Sequence, residues 1–305
     1  MKHLFLVRHA KSSWADESLS DRERPLSARG VSQLAPLGNA LKSVGAFEGE
    51  VYSSSARRAV ATLQGILPDT VAAERYHTLS ALYTFDYRRL LAWLEEQADA
   101  PQITLVGHNP ALLELAQSLL KQPPEQLPTA SVIHIRLSIK HWRQIGRGKG
   151  KLVTLITPQD YSYAHCERKL KKRARTAGDD PARDIPKALH HQFDRLRQLE
   201  RGVALGLDDE FLHQYRIAIR RSRAIAESVQ DVTGDKSLAK GVKTLKRHAR
   251  ATGPLRDLHV FLQDLPELCA DDAEIRAALQ IWFEREAASH HKKLAKRLKS
   301  KRYQD

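Results

Sequence analysis

Four residues in the first half of the chain could together bind and transfer a phosphoryl group: Arg8, His9, Arg58 and His108. An arginine guanidinium offers paired N–H donors that match the oxygens of a tetrahedral anion. A neutral imidazole nitrogen is a nucleophile, and cationic groups around it can stabilise the charge on the phosphoryl oxygens. Neighbouring cations also lower the pKa of His9 and keep that nitrogen unprotonated. The set predicts a cationic phosphoryl site if the fold brings its members together.

The predicted elements place these residues at one edge of a sheet. Leu4–Val7 and Ile103–Val106 are apolar runs typical of buried strands, and each ends close to a member of the set. The helix predicted for residues 56–67 contains Arg58 and follows a shorter strand signal at Val51–Tyr52. Because ligands of open α/β sheets bind at the carboxyl ends of the strands, these positions favour one shared site.

Strand and helix signals continue to alternate up to about residue 160. Helices are predicted at residues 88–97 and 110–120, and strands at residues 132–137 and 152–156 flank a glycine-rich turn, which predicts a hairpin. The alternation predicts an α/β sandwich for this half of the chain.

The strand signals stop after Pro158, and from Pro186 onward every apolar run has helical spacing. This second half is predicted to be an all-α bundle of about four helices. Breaks between the helices are expected near Gly206, Gly234 and Pro254.

The net charge also differs between the two halves of the chain. Residues 1–160 contain 19 Lys and Arg against 15 Asp and Glu, whereas residues 161–305 contain 31 against 21. We expect domains at 1–160 and 186–305, joined by a linker at 161–185 that is rich in charged and small residues. The excess positive charge of the second half predicts a polyanionic partner.

Two predicted helices of the second half each carry a basic stripe, opposite an apolar face. On a helical wheel the basic residues of each stripe fall within an arc of about 80°. The candidate polyanion-binding residues are His213, Arg216, Arg220, Arg223, Lys240, Lys243 and Arg247. Basic stripes can also be ordinary solvated helix faces, but few acidic residues interrupt these two.

Four sequence blocks in the first half occur in the order of a known family: residues 6–11 (Leu-Val-Arg-His-Ala-Lys), 24–30 (Arg-Pro-Leu-Ser-Ala-Arg-Gly), 54–62 and 106–110. They resemble the histidine phosphatase superfamily, in the form of the SixA-type phosphohistidine phosphatases. The resemblance implies a phosphoglycerate-mutase-like three-layer α/β sandwich. It also implies that His9 is the phosphorylated nucleophile, that Arg8, Arg58 and His108 neutralise the phosphoryl oxygens, and that Arg24 contacts the substrate.

Two positions depart from the pattern of that family. Ala10 replaces the commoner glycine, as it often does in the SixA-type group. Many relatives supply a carboxylic acid that protonates the leaving group, and Asp86 is only a weak candidate for it here. A phosphoramidate such as phosphohistidine depends less on a strong acid than an alkoxide does. The implied enzyme is therefore a phosphoric monoester or phosphoramidate hydrolase that favours phosphohistidine or a related phospho-compound.

Residues 213–223 and 255–260 resemble the signature blocks of the CHAD domain, a helical domain that binds inorganic polyphosphate. This resemblance implies that polyphosphate is the polyanion of the second half. The family usually has two helical halves and this chain has about one, so the domain is truncated, degenerate, or completed by a second copy in a homodimer. A polyphosphate-binding adaptor with a vestigial phosphatase domain is the alternative function.

Composition bounds the remaining possibilities. No secretory signal or apolar run of about 18 residues is recognisable, and Cys166 and Cys269 form no disulfide pattern, so a cytoplasmic protein without membrane contact is expected. Adjacent histidines at 190–191 and 290–291 point apart on a helix, so we expect no metal and no cofactor. Aromatic residues make up only 6% of the chain, which argues against nucleic acid.

Overall fold

The computed structural model describes residues 1–68, 75–98, 100–168, 185–234, 237–270, 272–300 and 303. The chain divides into two units, an N-terminal unit of Met1–Tyr161 and a C-terminal unit of Ser162–Asp305. Most of the linker predicted at 161–185 lies outside the described residues, because these exclude 169–184.

A six-stranded sheet with the order β3-β2-β4-β1-β5-β6 forms the centre of the N-terminal unit. The strands are β1 Lys2–Arg8, β2 Glu50–Ser54, β3 Tyr76–Leu79, β4 Gln102–Gly107, β5 Val132–Leu137 and β6 Gly150–Ile156. The first four strands run parallel, and β5 and β6 form the predicted antiparallel hairpin at one side. The carboxyl ends of β1, β4 and β2 therefore lie side by side at one edge of the sheet.

Helices cover both faces of this sheet, because successive strand residues point to opposite sides. The helices are α1 Ala28–Val31, α2 Leu34–Ser43, α3 Arg57–Ile66, α4 Tyr87–Glu95, α5 Ala111–Leu119 and α6 Pro158–Tyr161. Ile103 and Leu105 of β4 are buried together with α4 and α5. Thr104, between them, points the other way and donates to the carbonyl of Ala46, just beyond α2. The predicted α/β sandwich followed by a helical bundle is confirmed, whereas α1, α2 and β3 were not predicted.

Four long helices form the described part of the C-terminal unit: α7 Ile185–Leu205, α8 Glu210–Thr233, α9 Ala239–Leu268 and α10 Ala273–Leu298. Gly206 and Gly234 lie just after α7 and α8 with φ of 66° and 67°, a left-handed conformation that glycine adopts without steric cost. The breaks predicted near Gly206 and Gly234 are therefore confirmed.

The break predicted at Pro254 was wrong, because α9 continues through that residue. A proline inside a helix removes one N–H donor and loosens the turn before it. Here Arg216 of α8 donates from Nη1 to the carbonyl of Ala249 and to the hydroxyl of Thr252, at 3.1 and 2.8 Å. These bonds join α8 to α9 in the turn before Pro254, but the carbonyl that the proline leaves without an N–H donor is that of Arg250, four residues earlier.

Candidate active site

The sheet edge brings Arg58, His9 and His108 into direct contact. His9 follows β1, His108 follows β4, and Arg58 is the second residue of α3, which follows β2. The Nε of Arg58 donates to Nε2 of His9 at 3.2 Å, and its Nη2 lies 3.3 Å from Nδ1 of His108. The two imidazole rings are 5.0 Å apart between centroids. All three side chains are buried, so they form a cluster that is shielded from solvent.

His9 is held in the form that a nucleophile requires. Its Nδ1 lies 2.7 Å from the carbonyl oxygen of Ala10, which can only accept, so Nδ1 carries the proton and Nε2 is the unprotonated nitrogen that accepts from Arg58. Burial, and then the charges of Arg58 and Arg8, lower the pKa of His9 to about 4, although the bond to Ala10 acts in the opposite direction. Near neutral pH the ring is therefore uncharged and nucleophilic.

His108 is oriented from the other side by Ser54, the last residue of β2. Its Nε2 lies 2.8 Å from the Ser54 hydroxyl, and both residues are buried. Burial, followed by His9 and Arg58, lowers the pKa of His108 to about 3. Ser54 had no predicted role, although it belongs to the sequence block that contains Arg58.

Arg8 is fixed by a loop whose role sequence reasoning missed. Its Nη1 donates to the carbonyl of Leu127 at 2.8 Å, while its buried Nε has no hydrogen-bond partner among the described residues. In the same loop Ala130 has φ of 58°, and its N–H donates to the carbonyls of both Arg8 and His9 at 3.1 Å. A non-glycine residue in this conformation is strained, which is common where a loop positions functional groups.

Asp21 is the acidic member of the cluster, and the sequence analysis did not identify it. Its Oδ2 accepts from Nη2 of Arg58 and from the hydroxyl of Tyr83, both at 2.8 Å, and its backbone carbonyl accepts from Nη1 of Arg58. Partial burial raises the pKa of Asp21, but the bonds from Arg58 and Tyr83 outweigh it and lower the pKa below the usual range. The carboxylate is therefore ionised and occupies the edge of a guanidinium that could otherwise bind an anion.

Arg24 contacts Asp21 and, among the described residues, makes no hydrogen bond to His9. Its Nη1 donates to Oδ1 of Asp21 at 3.1 Å, and its Nε donates to the carbonyl of Ser13 at 3.1 Å. The guanidinium stacks on the exposed ring of Trp14, 3.1 Å from the ring centre. Arg24 thus contacts Asp21 of the cluster, whereas Arg58 contacts His9 itself.

Asp86, the weak candidate for the general acid, has a structural role. Its Oδ1 accepts from the backbone N–H of Arg88 at 2.9 Å and caps α4. Tyr83 and Phe85 lie nearer the cluster, with ring centres 5.5 and 5.6 Å from that of His108. A depression of about 660 Å³ is lined by residues next in sequence to Asp21 and Arg58, but by neither of those two. It is lined by Leu19, Ser20, Arg22, Glu23, Ser55 and Arg57.

The residues predicted to bind polyphosphate lie on two adjacent helices, α8 and α9. They differ in how exposed they are and in whether they already contact other residues. Arg220, Lys240 and Lys243 are exposed. Arg216 is partly buried and bound to α9, as described above. His213 and Arg247 are partly buried. Arg223 is also partly buried, and its Nε lies 3.4 Å from a carboxylate oxygen of Glu227, which also contacts Lys246 at 2.8 Å.

The described residues contain neither a metal-binding group nor a membrane-spanning helix. No group of three or more His, Cys, Asp or Glu within them is arranged to hold a metal ion. None of the helices in those same residues combines the length and the apolar character needed to cross a bilayer.

Two relatives identified by sequence carry the name "Uncharacterized protein". A chloroplastic protein of Arabidopsis thaliana is 29% identical over 171 residues, which cover 52% of this chain and 78% of the relative. A protein of Mycobacterium tuberculosis strain H37Rv is 27% identical over 166 residues, 50% of this chain and 100% of the relative.

Solved structures with a similar fold are phosphatases. The protein histidine phosphatase SixA complexed with tungstate is 21% identical, with 51% of this chain and 97% of that chain covered and a TM-score of 0.42. The alpha-ribazole phosphatase of Shigella flexneri is 20% identical, with 51% and 96% covered and a TM-score of 0.39.

Two family models match the sequence directly. The model of the histidine phosphatase superfamily (branch 1) matches residues 4–87, which include His9, Asp21 and Arg58. The CHAD domain model matches residues 187–305. The chain therefore combines a histidine phosphatase superfamily region in its N-terminal half with a CHAD domain in its C-terminal half.

Proposed function

We propose that the N-terminal half hydrolyses phosphohistidine, or a related phospho-compound, through a phosphohistidine intermediate on His9. One observation carries the proposal: a buried, neutral His9 has its Nε2 lone pair directed at a guanidinium that can bind phosphoryl oxygens. Arg8 offers a further buried N–H without a partner among the described residues. A nucleophile and preorganised cations are the two requirements of covalent phosphoryl transfer.

The reaction has two steps. First, Nε2 of His9 attacks phosphorus, the bond from phosphorus to the substrate nitrogen or oxygen breaks, and the leaving atom keeps the electron pair. Arg8, Arg58 and His108 hold the phosphoryl oxygens during this transfer. In the second step water attacks phosphorus, the bond to Nε2 breaks, and orthophosphate leaves while the water proton passes to solvent or to phosphate. His9 returns to its original form.

The carboxylates near the site support a phosphoramidate rather than an alkyl phosphate. Asp86 is engaged as a helix cap, and Asp21 is held ionised by Arg58, Arg24 and Tyr83. An ionised carboxylate cannot donate a proton to an alkoxide, whereas an imidazole leaving group needs less assistance.

For the C-terminal half we propose binding of inorganic polyphosphate. The exposed Arg220, Lys240 and Lys243 lie on two helices that contact one another, so their charges can face one linear polyanion. Like charges on neighbouring helices repel one another unless an anion neutralises them. The match to the CHAD domain model supports the same region.

Trapping of the phosphoenzyme tests the enzymatic proposal. The full chain is incubated with a phosphohistidine-containing protein and quenched in alkali, and acid-labile phosphate on the chain is then measured. Wild type and the control His77→Ala, which changes a histidine paired with Glu50, should be labelled, whereas His9→Ala should not. No turnover of any phospho-substrate would favour the polyphosphate adaptor with a vestigial phosphatase domain.

Filter binding tests the polyphosphate proposal. Polyphosphate and duplex DNA of equal charge are compared at two salt concentrations, because both respond to counterion release but only one should bind specifically. Arg220→Gln should weaken polyphosphate binding more than the control Arg221→Gln, since both residues are exposed but only Arg220 lies in the basic stripe. Equal affinity for the two polyanions would remove the polyphosphate assignment.

Three broader proposals accompany these. We propose the domain limits 1–160 and 186–305, with 161–185 as a linker, supported by the division of the coordinates after Tyr161. A cytoplasmic location is supported by the wide spacing of Cys166 and Cys269 in the sequence, which gives no disulfide pattern. A homodimer that completes the CHAD domain is tested by the molar mass in solution.

A further inference from the structure

The last turns of α9 and the first half of α10 extend beyond the start of α8. His259 of α9 lies 3.3 Å from a carboxylate oxygen of Asp209, the residue that precedes α8. Residues 260–268 therefore continue about 13 Å further, at about 1.5 Å per residue. Over this length α9 packs on α10, where the rings of Phe261 and Phe283 stack with their centres 5.5 Å apart. We call residues 260–268 and 273–286 the projecting hairpin.

The projecting hairpin leaves most of its apolar side chains in solvent. Leu265 is the only fully buried residue among the described residues from 260 to 286. The large apolar residues exposed here are Val260, Phe261, Leu268, Ile275, Ile281 and Trp282. A contiguous apolar surface formed by such residues marks an interaction site more often than a single exposed side chain does.

Four of these residues form one continuous surface. Phe261 and Leu268 are seven residues apart on α9, and Ile275 and Trp282 are seven residues apart on α10. Seven residues make about two helical turns, so each pair shares one side of its helix. The ring of Phe283 contacts those of Phe261 and Trp282, with centres 5.5 and 5.1 Å apart, and so joins the two sides. We call Phe261, Leu268, Ile275 and Trp282 the tip face.

The charge around the tip face is opposite in sign to that of the whole chain. Residues 261–287 contain seven Asp and Glu against two Arg, a net charge of −5, whereas the chain has +14. Asp264 is exposed three residues after Phe261, and Glu286 follows Trp282 by four residues, so both lie beside the tip face on their helices. Two copies of this acidic surface repel one another, whereas a basic partner is attracted.

We propose that the tip face binds an amphipathic helix of another protein, with a heptad pattern of apolar residues flanked by Lys or Arg. The parallel spacing of seven on α9 and α10 suits such a helix, which would complete a three-helix bundle. Its cations would meet Asp264 and Glu286. The partner is opposite in charge to polyphosphate, and the site is independent of phosphoryl transfer, because the tip face shares no residue with either proposed site.

Fluorescence anisotropy with a designed peptide tests the proposal on the full chain. The probe is a labelled three-heptad helix with Leu at positions a and d and Lys at e and g, at a concentration where the peptide alone is monomeric. Wild type should bind it saturably. Phe261→Gln and Trp282→Gln should each weaken binding about tenfold or more, because loss of a central aromatic anchor is among the costliest changes at an interface. The emission of Trp282 should shift to shorter wavelength on binding, and this shift should be absent in Trp282→Phe.

The matched control is Ile281→Gln, which should bind the peptide as wild type does. Ile281 is 69% exposed on α10 but lies about 100° around the helix from Trp282, away from the tip face. A second peptide with Glu at e and g should bind about tenfold more weakly or less, because its charge is repelled.

Three results would overturn the proposal. The first is that the Lys peptide does not bind wild type, or binds no better than the Glu peptide. The second is that both glutamine variants, with wild-type helicity, bind as tightly as Ile281→Gln. The third is a molar mass that shows a dimer of wild type and a monomer of Phe261→Gln, because a second copy would then occupy the tip face.

Discussion

Asp21→Asn should strengthen phosphate binding at the candidate active site. The asparagine keeps the shape and an acceptor oxygen for Arg58 and Tyr83, and the backbone carbonyl of residue 21 still accepts from Arg58. What the substitution removes is the negative charge that now neutralises the Arg58 guanidinium. Phosphate and Asp21 compete for the same cation, so the cation becomes more available to phosphate.

The size of the effect follows from the geometry. A phosphate on the edge of the Arg58 guanidinium that faces His9 would lie about 6 Å from the carboxylate. At that distance two unit charges interact by about 0.7 kcal/mol in water and about 3 kcal/mol at an effective dielectric constant of 20. Asp21 is 45% exposed, so solvent screening favours the lower part of this range. About 1 kcal/mol, or about fivefold in affinity, is expected.

The assay is competitive inhibition by orthophosphate during hydrolysis of an aryl phosphate at constant ionic strength. The inhibition constant and KM should both fall about fivefold in Asp21→Asn, because ground state and transition state carry the phosphoryl charge alike. Asp16→Asn is the matched control, since Asp16 is an exposed carboxylate in the same loop that accepts hydrogen bonds from Ser18.

An inhibition constant that rises in Asp21→Asn would refute this reasoning. It would mean that Asp21 supports phosphate binding by orienting Arg58 more than it opposes binding by charge. An equal fall in Asp16→Asn would instead show that only the overall charge of the loop matters.

Other perturbations test the surroundings of the site. His9 and His108 have pKa values of about 4 and about 3, below the ordinary value of about 6.5, so the unfolded chain takes up protons first. The free energy of unfolding should therefore fall as pH drops from about 6.5 towards 4, and less so in His9→Asn, as measured by urea unfolding at several pH values. Ser54→Ala should lower kcat about three- to tenfold by releasing His108, with the fold unchanged by circular dichroism. Gly30→Ala should lower the free energy of unfolding by about 1–3 kcal/mol, as measured by urea unfolding. The Cβ of the new alanine would lie 2.1 Å from the Lys11 carbonyl oxygen, so the backbone must shift. A urea midpoint equal to that of wild type would contradict this prediction.

Local sequence patterns determined most of the elements around the site. The apolar runs before Arg8 and His108 became β1 and β4, and the helix that contains Arg58 begins one residue after its predicted start. These predictions succeeded because buried strands and amphipathic helices leave a period in the sequence of a single segment. The strand β3 was missed because it is only four residues long and none of them is fully buried, so it contains no apolar run.

The sequence by itself determined which residue types could perform phosphoryl chemistry and that they follow strands. Only the tertiary structure placed Asp21 against Arg58, Ser54 against His108, and Leu127 against Arg8. Each pair joins segments between 37 and 119 residues apart, and no local pattern specifies such a contact. In the same way, Arg216 of α8 contacts the carbonyl of Ala249 on α9, 33 residues away in the sequence. Local periodicity selects the elements, whereas packing between distant segments decides which charges meet.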